Sequence, residues 1–259
     1  MIRVAIANQK GGVGKTTTAI NLGTAMAATG WRTLLIDLDP QGNASTGLGI
    51  HAQHRQVSSY DLLIGGAPLS ECVMPTAIKG LDLCPATVDL SGAEVELVSV
   101  ENRTDRLRHA LHSGPEPYDV VFIDCPPSLG LITLNALTAA DTLLVPLQCE
   151  FFALEGLSQL LQTVERVQQR FNPDLGILGI VLTMFDRRNR LTDQVSDDVR
   201  SCLGKLVFET NIPRNVRLSE APSHGLPALI YDQHCPGSRA YIALAREMIA
   251  RMPERRLAA

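Results

Sequence analysis

The stretch that decides the fold lies at residues 8–18 and reads NQKGGVGKTTT. Lys15 and Thr16 fill the end of the phosphate-loop pattern G-x-x-x-x-G-K-[ST]. The first glycine of that pattern would fall at position 9, which is Gln9, and the next residue is a second lysine, Lys10. The question is why a loop that already has its phosphate lysine carries another one.

The neighbours of this loop give it the context that the pattern requires. Residues 2–8 form an apolar run that predicts a strand, and residues 15–29 predict a helix that ends at Gly30. Glycines between a strand and a helix let backbone N–H groups surround an anion, and the helix dipole adds to this. Lys15 is expected to neutralise β- and γ-phosphates, and the Thr16 hydroxyl to join Mg²⁺. The predicted nucleotide-binding residues of the loop are Gly11, Gly12, Val13, Gly14, Lys15, Thr16 and Thr17.

Apolar runs alternate with amphipathic stretches along the rest of the chain. Further strands are predicted at residues 33–39, 81–86, 119–125, 142–148 and 175–184, and later helices at 155–171 and 238–252. The alternation predicts an α/β fold, a single domain over residues 1–259 with a mostly parallel twisted sheet and helices on both faces. Ligands of such sheets bind at the carboxyl ends of the strands. Residues 43–80 mix Gly, Ser, His and Pro and are the least predictable segment.

The composition is that of a globular protein, with 45% hydrophobic and 19% charged residues. The chain starts directly with the first strand, so we expect no export signal, and no apolar run approaches the length of a membrane span. The six cysteines are scattered, which predicts reduced thiols used for packing in a cytoplasmic protein.

The charge of the chain is unevenly distributed. The net charge is −4, yet residues 151–259 hold 14 Lys and Arg against 12 Asp and Glu. An acidic protein can still present a local basic face to phosphate, so the net charge leaves nucleic acid among the candidate partners.

Carboxylates follow two of the predicted strands. Asp37 and Asp39 come at the end of the second strand, and Asp124 follows four apolar residues in the Walker B arrangement that holds Mg²⁺ directly or through water. A single strand-end Asp is often a turn former or helix cap. Because these sites and the loop converge on one edge of the sheet, they jointly predict a nucleotide–metal site.

With these motifs the chain resembles a known family. KGGVGKTTT at residues 10–18 is similar to the deviant Walker A motif of the ParA/MinD superfamily of ATPases, in which the first lysine is the signature lysine. The resemblance is closest to the ParA (Soj) chromosome-partition branch and covers nearly the whole chain, except about residues 50–80 and the last few. The segments that carry it are LLIDLDPQGNASTGLG (34–49), VFIDCPPSLG (121–130), PLQCEFFALEGL (146–157), VLTMFDRRNRL (181–191) and IPRNVRLSEAPSHGLPALIYD (212–232).

The resemblance implies a role for each residue of the site. ATP would lie between two protomers, and Lys10 of one would reach the phosphates held by Lys15 of the other, so that pairing depends on the γ-phosphate. Asp39 would position or activate the attacking water. Asp37 and Asp124 would organise Mg²⁺ and its waters. The adenine contacts implied are Met184, Phe185 and Pro213.

The resemblance also implies partners. ParA-type dimers hold double-stranded DNA without base readout, and the arginines of DRRNR and IPRNVR are the candidates for its phosphates. They are Arg188, Arg190, Arg214 and Arg217. The expected protein is a cytoplasmic, nucleoid-associated ATPase with weak intrinsic activity, stimulated by DNA and a ParB-type partner and without a membrane partner. Because the chain starts at the first strand, we expect no operator-specific repression.

Three alternatives stay open from the sequence. A MinD-like membrane-positioning ATPase shares the loop, but its C-terminal amphipathic helix is not matched by the tail REMIARMPERRLAA, which Pro253 interrupts. A metal-cluster carrier would need paired cysteines, and Cys125 stands alone beside Asp124. A small-molecule ligase or kinase would need a substrate pocket that the sequence does not reveal.

Three further residues are predicted to have structural roles only. His109 and His112 lie three residues apart on a predicted helix, with no third ligand in view, and are expected at the surface. Trp31 is predicted to open a strand and to pack in the core.

Overall fold

One seven-stranded sheet organises the computed structural model, which describes residues 1–112 and 118–252. The strands are β1 Ile2–Ile6, β2 Thr33–Asp37, β3 Met74–Pro75, β4 Leu81–Cys84, β5 Val120–Asp124, β6 Thr142–Gln148 and β7 Gly176–Thr183. Their order is β3-β4-β2-β5-β1-β6-β7, and all neighbours are parallel except β3 and β4. The predicted mostly parallel α/β sheet is confirmed.

Helices cover both faces of this sheet. They are α1 Lys15–Ala28, α2 Asn43–Gly47, α3 Leu69–Cys72, α4 Leu90–Glu96, α5 Arg106–His112, α6 Leu131–Ala139, α7 Ala153–Arg170, α8 Arg190–Leu203, α9 Val216–Glu220, α10 Ala228–Tyr231 and α11 Pro236–Arg251. Alternate residues of β1 enter different apolar cores, since Ala5 belongs to one and Val4 and Ile6 belong to the other. The first core contains residues of α4 to α8, and the second contains residues of α1, α2 and α9 to α11. The two faces of the sheet are therefore both buried, as near-continuous apolar strands require.

The register of the central strands brings the acidic residues together. β5 lies between β1 and β2, and Asp124 is the register partner of both Ile6 and Asp37. The phosphate loop leaves β1 at this same edge. The carboxyl ends of three neighbouring strands thus meet at one place, as the sequence predicts.

The observed elements differ from the predicted bounds by a few residues. β1 ends at Ile6 rather than residue 8, because the Asn8 side chain leaves the strand and donates a hydrogen bond to the Pro146 carbonyl at 2.7 Å. β2 ends at Asp37 rather than residue 39, since the Asp37 carboxylate accepts a hydrogen bond from the Asp39 amide and turns the chain.

The helix ends are close to those expected. α1 ends at Ala28, and Gly30 has a φ of 87°, which places it in the left-handed conformation that ends a helix. The last helix starts at Pro236, two residues earlier than predicted, and ends at Arg251. Pro253, on which the expected interruption of the tail rests, lies outside the described residues.

Both edges of the sheet depart from a regular parallel ladder. β3 is two residues long, runs antiparallel to β4 and contains Pro75. On the other edge, the segment 207–212 lies beside β7, where the Phe208 amide donates to the Ile180 carbonyl and the Ile212 amide to the Leu182 carbonyl, both at 2.8 Å. Residues 43–80, the segment that is least predictable from the sequence, contain α2, α3 and the edge strand β3.

The residues expected to have structural roles mostly do so. Trp31 is buried as predicted but lies in the turn before β2, which begins at Thr33. His109 and His112 are exposed on α5. Five cysteines are buried, whereas Cys202 is exposed and is an exception to the predicted packing role. None of the helices in the described ranges combines the length and apolar character needed to cross a bilayer.

Candidate functional site

The phosphate loop is held open by its glycines and anchored by its valine. Gly12 and Gly14 have φ values of 75° and 86°, a region that side chains other than glycine rarely adopt. Val13 is buried, and its carbonyl accepts a hydrogen bond from the Thr183 hydroxyl at 2.8 Å. Gly11 lies against Pro127 of the loop that follows β5. The loop thus rests on β7 and on the Walker B segment at once.

Lys15, the first residue of α1, is buried beneath the phosphate loop. It is only 7% exposed, and its Nζ donates a hydrogen bond to the Lys10 carbonyl at 3.1 Å. Burial lowers the pKa of Lys15, and the nearby carboxylates of Asp124 and Asp39 oppose that shift. A buried ammonium bonded to one carbonyl retains donors for an anion in the loop.

Lys10 has a different environment. Its Nζ forms an ion pair with Glu150, which follows β6, and the Lys10 side chain is 43% exposed. The backbone carbonyl of Lys10, by contrast, faces Lys15. The two lysines are therefore not equivalent, because the Lys15 side chain is buried within the phosphate loop and the Lys10 side chain lies on the surface of the protomer.

Asp124 is completely buried at the end of β5. Among the described residues, neither of its carboxylate oxygens has a hydrogen-bond partner. Burial raises the pKa of Asp124 well above its usual value, and the adjacent Asp37 raises it further, whereas the nearby Thr16 hydroxyl and Lys15 oppose the shift. A buried carboxylate without protein partners is rare, and its oxygens are free to accept a cation or a water.

Asp37 is buried beside Asp124 but is fully engaged with the chain. Its Oδ2 accepts hydrogen bonds from the Ser45 amide at 2.9 Å and the Ser45 hydroxyl at 2.7 Å, and its Oδ1 accepts one from the Asp39 amide at 3.2 Å. Burial raises the pKa of Asp37 to about 6, although the bonds from Ser45 act against the shift. Asp37 therefore fixes the loop that follows β2. Asp39 itself is partly exposed and accepts a bond from the Gln41 amide.

These residues fit a magnesium ion that arrives with its nucleotide. No group of three or more His, Cys, Asp or Glu suited to a metal occurs in the described ranges. Mg²⁺ bound with a nucleotide does not need such a group, since phosphates and waters supply most of its ligands. The unpartnered oxygens of Asp124 and the hydroxyl of Thr16 are the donors that this chain offers.

A cavity of about 430 Å³ continues from the phosphate loop. Met184 and Pro213, two of the predicted adenine contacts, line it together with loop residues Gly14, Thr16 and Thr17. Met184 has a φ of 50°, an unusual value for a residue with a long side chain. Phe185, the third predicted adenine contact, lines a neighbouring cavity of about 500 Å³, which Pro213 also lines.

The four predicted DNA-binding arginines are exposed but not equally free. Arg188 and Arg214 line the 500 Å³ cavity, and Arg188 pairs with Asp186 at 2.8 Å. Arg217 pairs with Glu220 at 2.9 Å and lies 3.7 Å from Asp232. Arg190 starts α8 and is exposed.

Several residues at the site were not identified from the sequence. Glu150 pairs with Lys10, Ser45 binds Asp37, and Thr183 holds the phosphate loop. Asn43 and Thr46 of α2 line the first cavity, and Arg187 lines the second. Arg187 lies within the DRRNR cluster and could have been found there. The others lie within the segments that carry the family resemblance, but their residue types alone assign them no role.

Comparisons with known proteins bear on this arrangement. A family model described as an AAA domain matches residues 1–177. The chromosome partitioning protein ParA of Caulobacter vibrioides is 59% identical over 97% of this chain and 95% of the relative. The sporulation initiation inhibitor protein Soj of Bacillus subtilis is 52% identical over 95% of this chain and 98% of the relative. A solved structure of cobyrinic acid a,c-diamide synthase from Mycobacterium smegmatis, with bound ADP and magnesium, is 40% identical with a TM-score of 0.82, covering 95% of this chain and 93% of that one.

The family model covers more than half of the chain, and the relatives named for partitioning match almost its whole length. These matches agree with the strand–loop–helix that presents two lysines and with the acidic residues that meet beside it. The chain therefore belongs to the ParA/Soj family of chromosome-partitioning ATPases.

Proposed function

We propose that residues 1–259 form one ATPase domain that binds ATP with Mg²⁺ in the phosphate loop and the 430 Å³ cavity. Lys15 and the loop amides hold the β- and γ-phosphates. Thr16, Asp37 and Asp124 organise the magnesium and its waters. The proposed contacts of the base are Met184, Phe185 and Pro213. Asp39 positions the attacking water. Support comes from the buried, unpartnered carboxylate of Asp124 and from the ADP and magnesium in the M. smegmatis structure.

The second part of the proposal is a switch between monomer and dimer. The observation that carries it is the position of Lys10, whose ammonium pairs with Glu150 at the protomer surface rather than joining its own loop. A triphosphate with Mg²⁺ keeps a negative charge, and burying that charge between two protomers requires a cation from the partner. Lys10 supplies it in trans, so dimerisation depends on the γ-phosphate.

The third part is the use of the switch. The ATP-bound dimer binds double-stranded DNA through arginine–phosphate contacts, and a ParB-type partner stimulates hydrolysis and releases it. Arg188, Arg190, Arg214 and Arg217 are the proposed contacts. Such contacts are independent of sequence and add up in a dimer, which presents each arginine twice. The protein would therefore be associated with the nucleoid in the cytoplasm, and its turnover would drive segregation of a chromosome or plasmid.

Two lysine variants test the proposal. Lys15→Ala should abolish ATP binding in calorimetry, because it removes the main cation from the cradle. Lys10→Ala should bind ATP normally and yet remain a monomer by sedimentation with a non-hydrolysable ATP analogue. The control is Lys79→Ala, which changes an exposed lysine far along the chain. A Lys10→Ala protein that dimerises like the native chain would refute the role in trans.

A second candidate is an ATP-dependent enzyme that modifies a small carboxylic acid. It is favoured by the name of the M. smegmatis structure, at 40% identity, whereas the relatives at 59% and 52% favour partitioning. ATP turnover measured with duplex DNA, or with cobyrinic acid and an ammonium salt as nitrogen donor, separates the two. Stimulation by cobyrinic acid and not by DNA would support the second candidate.

A further inference from the structure

The outer face of α4 and its flanking residues carries apolar side chains where polar ones are expected. Leu90, Ala93 and Leu97, on the inner face, are fully buried in the core. On the opposite side, Val88, Val95 and Val98 are 74%, 76% and 59% exposed. A surface helix normally presents charged and polar residues to water on that side. Clustered exposed apolar residues commonly mark an interaction site.

The sequence around these valines is acidic. Residues 86–102 contain Asp89, Glu94, Glu96 and Glu101 and no lysine or arginine. Arg103, at the edge of this surface, donates a hydrogen bond to the Val98 carbonyl at 2.8 Å. The surface would repel DNA phosphates and attract a cationic segment of a protein. We call Val88, Val95, Val98, Glu96 and Glu101 the α4 surface.

The segment that leads into α4 is linked to the loop that follows β2. The Ala86 amide donates to the Ser45 hydroxyl at 3.1 Å, and that hydroxyl donates to Asp37 at 2.7 Å. Arg55 reinforces the link, since its guanidinium donates to the Ala86 carbonyl at 3.0 Å and to the Thr46 hydroxyl at 2.8 Å. Thr46 lines the nucleotide cavity.

Glu94, near the C-terminal end of α4, links this helix to the segment that follows Asp124. The Glu94 carboxylate accepts hydrogen bonds from the Leu131 and Ile132 amides at 2.8 and 3.2 Å, which are the first two residues of α6. Gly130 lies so close to Glu94 that a Cβ there would collide with the carboxylate. A side chain on the partly exposed helix therefore fixes where the Walker B loop enters α6.

We propose that the α4 surface is the docking site of the partner that stimulates hydrolysis, and that the docked element is a cationic segment with apolar side chains. This inference rests on the proposed function, because it gives the stimulating partner its place. The apolar side chains would cover the valines, and lysines or arginines would pair with Glu96 and Glu101. Ala86, in the segment that leads into α4, is bonded through Ser45 to Asp37, and Glu94 of α4 is bonded to the start of α6. A displacement of α4 by the docked partner would therefore move the loops that carry Asp37 and follow Asp124.

Two variants remove the two parts of the recognition. Val95→Ser with Val98→Ser removes apolar contact. Glu96→Gln with Glu101→Gln removes charge, while the amide oxygen introduced at position 96 can still accept the hydrogen bond from the Tyr60 hydroxyl. The matched controls are Leu206→Ser, at an exposed leucine beside β7, and Glu165→Gln on the exposed side of α7. The probe is the full-length ParB-type protein of the same organism, titrated against ATP turnover with duplex DNA present.

Each test variant should need about tenfold more ParB-type protein for half-maximal stimulation, since a few lost contacts at the centre of an interface have such an effect. The charge variant should also lose salt sensitivity of this midpoint. Basal turnover, ATP-dependent dimerisation and DNA binding should stay native. Unchanged stimulation would overturn the docking site, and loss of dimerisation would assign the surface to a second copy of the chain and overturn it as well. If the native chain itself shows no dimerisation or stimulation, the proposed function fails, which is a different result.

Discussion

Lys10 and Glu150 form an ion pair within one protomer, although 140 residues separate them in the chain. Their side chains are 43% and 42% exposed. Exposed pairs of this kind contribute about 0–1 kcal/mol, so the bond can be broken when a stronger partner such as a triphosphate is offered. In the nucleotide-free protomer, Glu150 therefore competes for the lysine on which dimerisation is proposed to depend.

Glu150→Gln should strengthen ATP-dependent dimerisation. Without the carboxylate, Lys10 no longer has to leave a partner, and the gain is up to about fivefold for each protomer, given the usual strength of an exposed pair. Sedimentation at several protein concentrations with a non-hydrolysable analogue measures it, and Glu155→Gln, at an exposed carboxylate in the first turn of α7, is the control. Weaker dimerisation of Glu150→Gln would show that the carboxylate helps rather than competes.

Asp39→Ala should bind ATP and dimerise but hydrolyse about a hundredfold more slowly, because water positioning acts mainly in the transition state. The variant should therefore stay on DNA for longer. Single-turnover hydrolysis with DNA and the ParB-type partner is the measurement, and Asp174→Ala, an exposed carboxylate elsewhere, is the control. Native turnover would remove Asp39 from the mechanism.

Arg217→Ala should weaken DNA binding by the ATP-bound dimer without changing ATP affinity. Each lost phosphate contact lowers the slope of log K against log salt by about 0.9, or about 1.8 for the dimer. The loss should be equal on two unrelated duplexes, because phosphates carry no sequence information. Arg166→Ala, on the exposed side of α7, is the control.

Glu220→Gln gives the opposite test of the same arginine. Glu220 holds the Arg217 guanidinium at 2.9 Å, so removing its charge should leave only the more distant Asp232, at 3.7 Å, to compete with phosphate and should strengthen DNA binding in the same salt titration. If Arg217→Ala leaves slope and affinity unchanged, Arg217 is not on the DNA face.

Ser45→Ala should destabilise the nucleotide-free protein by about 1–3 kcal/mol, because it leaves the buried Asp37 carboxylate and the Ala86 amide without their hydroxyl partner. Urea denaturation measures the loss. Ser70→Ala, at an exposed position on α3, should change the free energy of unfolding little. Equal effects of the two substitutions would contradict the role of the Asp37–Ser45 bond.

Glu247→Gln should reduce stability at neutral pH and matter less in acid. Burial opposes ionisation of Glu247, but hydrogen bonds from the Glu209 and Thr210 amides and the charge of Arg251 outweigh it and lower its pKa. A lowered pKa contributes stability above the usual value for glutamate, and that contribution is lost as the pH falls through the lowered value. Urea denaturation at neutral pH and at acidic pH should show the difference between variant and native protein shrinking. A constant difference would mean that the effect does not come from the charge.

The fold was predictable where the chain repeats a pattern over many residues. The strand before the phosphate loop, the helix after it and the left-handed Gly30 all follow from local chemistry. The short elements were not predictable, because tertiary bonds rather than periodicity define them. The helix Asn43–Gly47, for example, is held by the bonds between Ser45 and Asp37.

The candidate site divides in the same way. Lys15, Thr16 and Asp124 stand at positions that a motif specifies, so the sequence identifies them and their meeting point. Glu150 and Thr183 contact the loop across 140 and 170 residues, and no spacing rule connects them. Phe185 lines the neighbouring cavity and Pro213 lines both cavities, so the contact of Phe185 with the base stays a prediction.

The modified sheet edges have a consequence for crowding. An open strand edge invites another chain to add to the sheet, which is a common route to fibres. Here Pro75 removes a backbone donor on one side, and the 207–212 segment occupies backbone groups of β7 on the other. We therefore expect that copies of this chain can reach a high local concentration without adding strands to one another's sheets and forming fibres.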